Sequence, residues 1–281
     1  VYIATDGNGV HFLSHKDQQV TRRFYHDVND KEGIRSNSIY SLLVDDRGAV
    51  WVGHFQAGLD YSLYQNGLFR TYAYPPLFNS ANLSIRSFVN RGQEKVIGSR
   101  DGLFYINEAT GVVKSFVKPV LTSDLILTIS FYQGEYYIGT YGGGMMVLNP
   151  ETLSLKYFAQ GDTELFQKGH IFCVKPDAKG NLWIGTSQGL FSYNGQTKQI
   201  KSFTSANSQL PEGNVYEVSF DSTGKGWIAT ETGMCIYDPA SQSLRSNVFP
   251  EGFVNKDKVR TIYEDAEHNL YFIREKGSLF T

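Results

Sequence analysis

The residues whose types best suit binding chemistry are Tyr40, Arg86, Phe172, Tyr216 and Arg260. An aromatic ring stacks on the apolar face of a pyranose, and a guanidinium fork binds a carboxylate or a sulfate. His54, Phe55, Arg100, Tyr141 and Glu231 form a second set with similar capabilities. Covalent and metal chemistry find less. The histidines, His11, His15, His26, His54, His170 and His268, are scattered. His11 and His15 lie four apart, but on a strand and its turn, where that spacing gives no shared helical face. There is no His-Glu-x-x-His segment and no cysteine cluster. Gly142-Gly143-Gly144 lacks the Lys-Ser/Thr and the helix of a phosphate loop. Asp45, Asp177, Asp221 and Asp265 recur because turns favour Asp, which makes them poor acid–base candidates. Asn82-Leu83-Ser84 is a glycosylation sequon by pattern alone. Cys173 and Cys235 read as small buried hydrophobes, with a disulfide between them left open. The expectation is no catalytic residue, no metal and no cofactor.

A repeat must position the binding residues. An aromatic, an aliphatic, a small residue, a polar residue, a short gap and a glycine recur about every 45 residues, clearest in Leu182-Trp183-Ile184-Gly185-Thr186-Ser187-Gln188-Gly189-Leu190. The aromatic slot is held by Tyr2, Trp51, Tyr137, Trp183, Trp227 and Tyr271, with Val96 standing in once. Each repeat reads as four short strands. In the fifth, Ile171 to Val174 is the first, Leu182 to Thr186 the second, Gly189 to Tyr193 the third and Gln199 to Phe203 the fourth. Asn194-Gly195 between the last two reads as a hairpin signal. No stretch keeps helix periodicity over three turns.

A four-stranded meander cannot bury both faces alone, and radial repetition lets such sheets pack face to face with protected edges. The expected fold is therefore all-β, a seven-bladed β-propeller of four-stranded antiparallel blades whose first and last blades are incomplete. The repeats fall near 1–38, 39–84, 85–125, 126–170, 171–214, 215–258 and 259–281, as one domain over 1–281. The bulky second-strand residue should fill the gap between blades. The small residue two places on (Ala4, Gly53, Gly98, Gly139, Gly185, Ala229) should let the next blade approach, a rule Ile273 breaks. The chain starts at Val1, inside a second strand, and reads as a piece of a larger receptor.

In a propeller the first strands line the central channel. Tyr40, Arg86, Leu127, Phe172, Tyr216 and Arg260 each lie one step into a first strand, and the second-to-third turns bring the second set to the same face. Two readings stand: these residues line a ligand site, or they fill and solvate a channel mouth that every propeller must close. Long inter-blade loops offer another surface. His26 to Asn37 is rich in charge, and Tyr74, Pro75, Pro76 and Phe78 form an apolar cluster that meets a partner or folds over the blade edge.

Composition sets bounds. The 281 residues are 41% hydrophobic and 14% aromatic, enough for a large core. Net charge is −2, from 26 basic and 28 acidic residues, which disfavours bulk nucleic-acid or anionic-membrane binding. No apolar run reaches the eighteen or so residues of a membrane helix.

The run from Asn37 to Gly53, with its Asp45-Asp46-Arg47-Gly48 turn and Trp51, resembles the two-component regulator propeller repeat, as do Ile171 to Leu190 and Val215 to Gly233. The third, fourth and seventh repeats depart from it at Val96, at Asn90-Arg91-Gly92 and at Ile273-Arg274. The resemblance implies a non-enzymatic sensor region of a Bacteroides-type hybrid two-component system, periplasmic and anchored in the inner membrane. It implies an oligosaccharide ligand, a neighbouring propeller and β-sandwich module, a homodimer, and a signal passed to kinase and DNA-binding parts. A protein-interaction or dimerisation propeller without its own ligand, and a propeller polysaccharide lyase or hydrolase, are the competing readings.

Overall fold

Four aspartates at the first-to-second turns explain why the aromatic slot is so regular. Asp177 Oδ1 accepts the backbone N–H of Lys179 and Asn181 at 2.9 and 2.7 Å, which closes the turn. Its Oδ2 accepts the indole N–H of Trp183 at 2.9 Å. Asp45 holds Trp51 at 2.9 Å and Asp221 holds Trp227 at 2.8 Å in the same way. Asp265 takes the Tyr271 hydroxyl at 2.9 Å. One carboxylate thus ties a turn to the side chain that packs between sheets. The left-handed residue of these turns is Gly48, Gly180 or Gly224, and at the seventh it is His268 with φ 67°.

The computed structural model describes residues 1–14, 16, 19–63, 68–74, 78–79, 82–158, 163–246, 258–274 and 279–280. Among these, seven antiparallel sheets of three or four strands follow one another along the chain, each a meander of neighbouring strands. The first holds Tyr2–Ala4, Val10–Leu13 and Val20–Phe24. The second holds Ile39–Val44, Val50–His54, Leu59–Ser62 and Arg70–Thr71, and the third Ile85–Arg91, Glu94–Ser99, Leu103–Asn107 and Val112–Phe116. The fourth is Ile126–Tyr132, Glu135–Thr140, Met145–Leu148 and Leu155–Tyr157, and the fifth Ile171–Pro176, Asn181–Thr186, Gly189–Asn194 and Ile200–Phe203. The sixth holds Val215–Phe220, Gly226–Thr230, Gly233–Asp238 and Ser243–Ser246, and the seventh Val259–Glu264, Leu270–Arg274 and Leu279–Phe280. The fold is all-β with blade-like sheets of the propeller kind, and of these seven the first and the last have three strands. The chain divides into two compact units, Val1–Ile129 and Ser130–Thr281.

Within each unit, sheets meet where the second strand carries glycine. A Cβ on Gly53 would lie 3.0 Å from both the Cγ2 and the carbonyl oxygen of Ile85, and one on Gly98 would lie 2.5 Å from Ile126 Cγ2. A Cβ on Gly185 would lie 2.7 Å from the Val215 carbonyl. Ile85, Ile126 and Val215 are fully buried, each worth roughly 1.5–3 kcal/mol. The bulky slot fills the space beside this contact. Trp183 packs on Phe203, Phe220 and Tyr237 at 5.7, 5.7 and 4.5 Å between ring centroids. Trp51 packs on Tyr61, Tyr72 and Phe88. The polar slot locks the second-to-third turn: the Thr5, Ser99, Thr140, Thr186 and Thr230 hydroxyls donate to the carbonyls of Gly9, Gly102, Gly144, Gly189 and Gly233.

Two local features, a turn and a helix, differ from the sequence expectation. Asn194-Gly195 is not a two-residue hairpin. Asn194 Oδ1 caps Gln196 and Thr197 at 3.1 and 3.0 Å, and the left-handed residue is Lys198 with φ 59°. Gly195 is needed because a Cβ there would lie 2.7 Å from the Tyr132 hydroxyl. A helix, Thr163–Lys168, precedes the fifth sheet and buries Leu165 and Phe166 in the core with Phe158 and Phe191. It also accounts for the last glycine of the run, since a Cβ on Gly144 would collide with the Phe166 carbonyl. Cys173 and Cys235 are buried free thiols, and burial pushes Cys235 up to about 12.

Removing the tie should be costly. Asp177→Ala leaves the indole N–H of buried Trp183 without its acceptor and is expected to lose about 1–3 kcal/mol in urea unfolding. Asp46→Ala, exposed on an equivalent turn, should stay within about 0.5 kcal/mol. Acid behaviour follows from the same geometry. Burial opposes ionisation of Asp265, but hydrogen bonds from Asn269 and Tyr271 outweigh it and hold the carboxyl at about 2. An unstructured Asp titrates near about 3.9, so this stabilisation is complete above that pH and disappears as pH falls toward about 2. Asp265→Asn should therefore flatten the acid limb of a stability–pH curve across that window and change its neutral limb less steeply.

Candidate functional site

Five sheets bend their first strand at the same step. The pairing register shifts between Ile39 and Ser41, Ile85 and Ser87, Ile171 and Cys173, Val215 and Glu217, and Val259 and Thr261. The skipped residues are Tyr40, Arg86, Phe172, Tyr216 and Arg260. A bulge leaves one residue outside the ladder and re-aims its side chain. Each bulged residue directly follows an aliphatic that is buried in the core, so the strand turns the bulged side chain away just after anchoring itself.

In the second unit these residues form a continuous array. The Tyr141 ring, half exposed, stacks on His170 at 4.0 Å and 26°. His170 lies 6.2 Å from Phe172, and Phe172 lies 5.2 Å from Tyr216 in an edge-on contact. The Arg260 guanidinium sits 4.4 Å from the Tyr216 ring centroid and the Lys258 ammonium 5.1 Å from it. Lys258 pairs with Glu231 at 3.2 Å. The Tyr216 hydroxyl donates to Glu231 Oε2, which also accepts Asn214 Nδ2 at 3.1 Å. The Tyr216 bond is the main cause holding the Glu231 carboxyl below its ordinary range. Burial opposes it, and Lys258 and Asn214 add to it. Lys258 and Arg260 against one carboxylate leave this end of the array positive.

In the first unit Tyr40 and Phe55 lie 5.2 Å apart, and the Arg86 guanidinium is 4.7 Å from the Tyr40 centroid. Burial draws the pKa of Arg86 below its ordinary value, and the nearby charge of Arg100 adds to this. Leu127 occupies the corresponding step of the fourth sheet.

His54 is a correction. It is fully buried, and its Nε2 meets Asp60 at 2.9 Å while Asp60 also accepts Arg35 Nε at 2.7 Å. It occupies the slot that holds Ser99, Thr140, Thr186 and Thr230 in other sheets, and so serves the turn and not an open surface. His170, Asn214 and Lys258 complete the array without having been singled out for it. Their signal was available in the column two places before each bulged residue, where His170, Asn214 and Lys258 each precede a buried aliphatic. Of the apolar loop cluster, Pro75 and Pro76 lie outside the described residues, as does His15, while Tyr74 and Phe78 fall in a two-stranded ribbon, Ala73–Tyr74 with Phe78–Asn79. No group of three His, Cys, Asp or Glu among the described residues is placed to hold a metal ion. No helix among them is long and apolar enough to cross a membrane.

Residues 33–56 and 166–188 match the model of the two component regulator propeller family. The chain carries repeats of that family. Similar solved structures include the extracellular domain of a proposed hybrid two component system, BT3049, from B. thetaiotaomicron, at TM-score 0.80 and 22% identity over 99% of this chain and 36% of that one. The corresponding domain of BT4673 from the same organism aligns at TM-score 0.76 and 16% identity, over 99% of this chain and 37% of that one. PorZ of Porphyromonas gingivalis, a surface component of the type-IX secretion system, aligns at TM-score 0.64 and 15% identity, over 100% of this chain and 43% of that one. At these identities the likeness is one of fold. This chain spans well under half of each of these structures. No curated protein matches the sequence.

The hydrogen bond that dominates Glu231 gives a direct check. Tyr216→Phe should move the Glu231 carboxyl upward toward its ordinary value in a carbon-detected NMR titration, with the fold unchanged by circular dichroism.

Proposed function

We propose that this chain is a ligand-sensing propeller from the extracytoplasmic part of a hybrid two-component system, and that its ligand is an oligosaccharide carrying an acidic group. The array from Tyr141 to Arg260 is the observation that carries this reading. Tyr141, Phe172 and Tyr216 offer apolar ring faces or edges at successive contacts of 4.0 to 6.2 Å through His170. That spacing suits successive rings of a chain better than one compact molecule. Lys258 and Arg260 provide charge for a carboxylate or sulfate at one end, and an Arg fork fixes the orientation of such a group. Glu231 and Asn214 add acceptors and donors for hydroxyls.

The matched family repeats and the fold shared with extracellular two-component domains support the sensor assignment. A periplasmic setting, neighbouring modules and a dimer that relays the signal belong to the same proposal. The array is unsuited to turnover. Its one carboxylate is held ionised by donors on several sides, and its aromatic and cationic members stack on one another and leave no paired acid and base.

Calorimetry with an oligosaccharide panel, neutral and uronate- or sulfate-bearing, tests the reading. An acidic member is expected to bind, Arg260→Ala to weaken it at least about tenfold, and the melting temperature to change little because Arg260 is exposed. Arg86→Ala examines the first-unit set separately. Unaltered affinity in Arg260→Ala, or binding of neutral glycans alone, would refute the array as the acidic-sugar site.

A further inference from the structure

A cavity of about 210 Å³ opens at the other end of the first strands of the second and third sheets, inside the first unit. It shares no residue with the array or with Tyr40 and Arg86. Trp51, Tyr61 and Tyr72 wall it, with Trp51 and Tyr61 stacked at 5.1 Å and Tyr72 edge-on to both. Its floor is polar. Lys95 is 5% exposed and donates to Glu108 Oε2 at 2.6 Å and to the Gly92 carbonyl at 3.0 Å. Glu108 Oε1 accepts the Tyr72 hydroxyl at 2.8 Å. Asn90 gives its amide N–H to Asp45 Oδ2 at 2.9 Å, and its Oδ1 is buried with no hydrogen-bond partner among the described residues.

The chemistry of this floor discriminates among ligand classes. A cation meets a cage already filled, because the Lys95 ammonium lies 5.8 Å from both the Trp51 and the Tyr72 centroids. An anion meets a lysine already neutralised by Glu108, with Asp45 and Asp46 also lining the cavity. What remains is an acceptor without a donor, Asn90 Oδ1, and an ammonium that has placed two of its three N–H groups. Asn90 and Lys95 are direct cross-strand partners, so their side chains stand side by side on one face of the sheet. A hydroxyl donates and accepts at once and fits that pair. The cavity is smaller than the roughly 300–1,000 Å³ of sites for larger ligands, so it admits one ring.

We propose that this cavity is a second binding site, for a single neutral polyhydroxylated ring, a sugar or a cyclitol. One ring hydroxyl bridges Asn90 Oδ1 and Lys95 Nζ while the apolar face of the ring rests against the Tyr61 and Trp51 wall. Leu63, 51% exposed, lies at the rim.

The test follows the three indole N–H resonances by NMR while glucose, galactose and myo-inositol are titrated in turn. Trp51→Phe assigns its own signal, and Trp183 and Trp227 serve as internal controls. A saturable shift confined to Trp51 is expected for at least one probe, and the probe that acts separates sugar from cyclitol. Asn90→Ala should weaken it about tenfold, the loss of one well-placed hydrogen bond. Because Asn90 also braces Asp45, Leu63→Trp supplies a variant that blocks the rim without touching the floor, and it should abolish the shift. The proposal is overturned if no probe shifts Trp51, if all three indoles move alike, if the shift survives both variants, or if glucuronate or choline binds in place of the neutral rings.

Discussion

The structure depends on one close contact, the approach of a buried Ile or Val on one sheet to a glycine on the sheet before it. Ile85 over Gly53, Ile126 over Gly98 and Val215 over Gly185 bring backbone and side chain within distances that leave no room for a Cβ. The bulky slot beside the glycine can then reach across, as Trp183 reaches Phe220 and Tyr237. In the third and sixth sheets the residue after that aliphatic is also the bulged one. A strand pinned at Val215 and released at Tyr216 cannot pair both residues with the same partner. The packing contact and the release of the bulged side chain are consecutive consequences of one geometry.

This explains which parts of the molecule were legible in the sequence. The repeat was legible because most copies keep a small residue at the inter-sheet contact, glycine at Gly53, Gly98 and Gly185, and four keep the same Asp turn. The recurring Asp was visible, but its reason was only half so. Turn propensity accounts for the bonds to Lys179 and Asn181, whereas the bond to the Trp183 indole joins residues six apart through the fold. The bulges carry no residue signature at all, since Tyr, Arg and Phe serve equally at the bulged step. His54 was misplaced for a related reason. Its position matches the turn-locking Thr of other sheets, and only Asp60, on the next strand, reveals that it is drawn inward. Asn194-Gly195 misled because Asn is favoured both in two-residue hairpins and as a cap of longer turns. The cap prevails here, and the glycine answers to Tyr132 in another sheet.

The electrostatics of the array follow from its position on successive first strands. Arg260 and Lys258 approach the same tyrosine ring from the seventh sheet, and the tyrosine spends its hydroxyl on Glu231. Each charge is therefore oriented by an aromatic or by its counter-ion, with no separate scaffold. Such pre-orientation reduces the ordering cost of binding a flexible, charged ligand. The buried Lys95 shows the contrasting use of the same residue types. Enclosed by Trp51, Tyr72 and Glu108, its charge is satisfied within the protein and stabilises the floor of a cavity.

The bulged step also accounts for the variety of residues found there. A residue within the ladder must match its cross-strand neighbour and the sheet beyond, which is why Ile39, Ile85, Ile126, Ile171, Val215 and Val259 are all aliphatic and all buried. A residue expelled from the ladder meets no such demand, and Tyr40, Arg86, Phe172, Tyr216 and Arg260 differ accordingly. The side chains that pack between sheets and the side chains released from the ladder thereby occupy adjacent positions. A propeller of this design can exchange its bulged residues with little disturbance to the contacts between its sheets, because those contacts end one residue earlier.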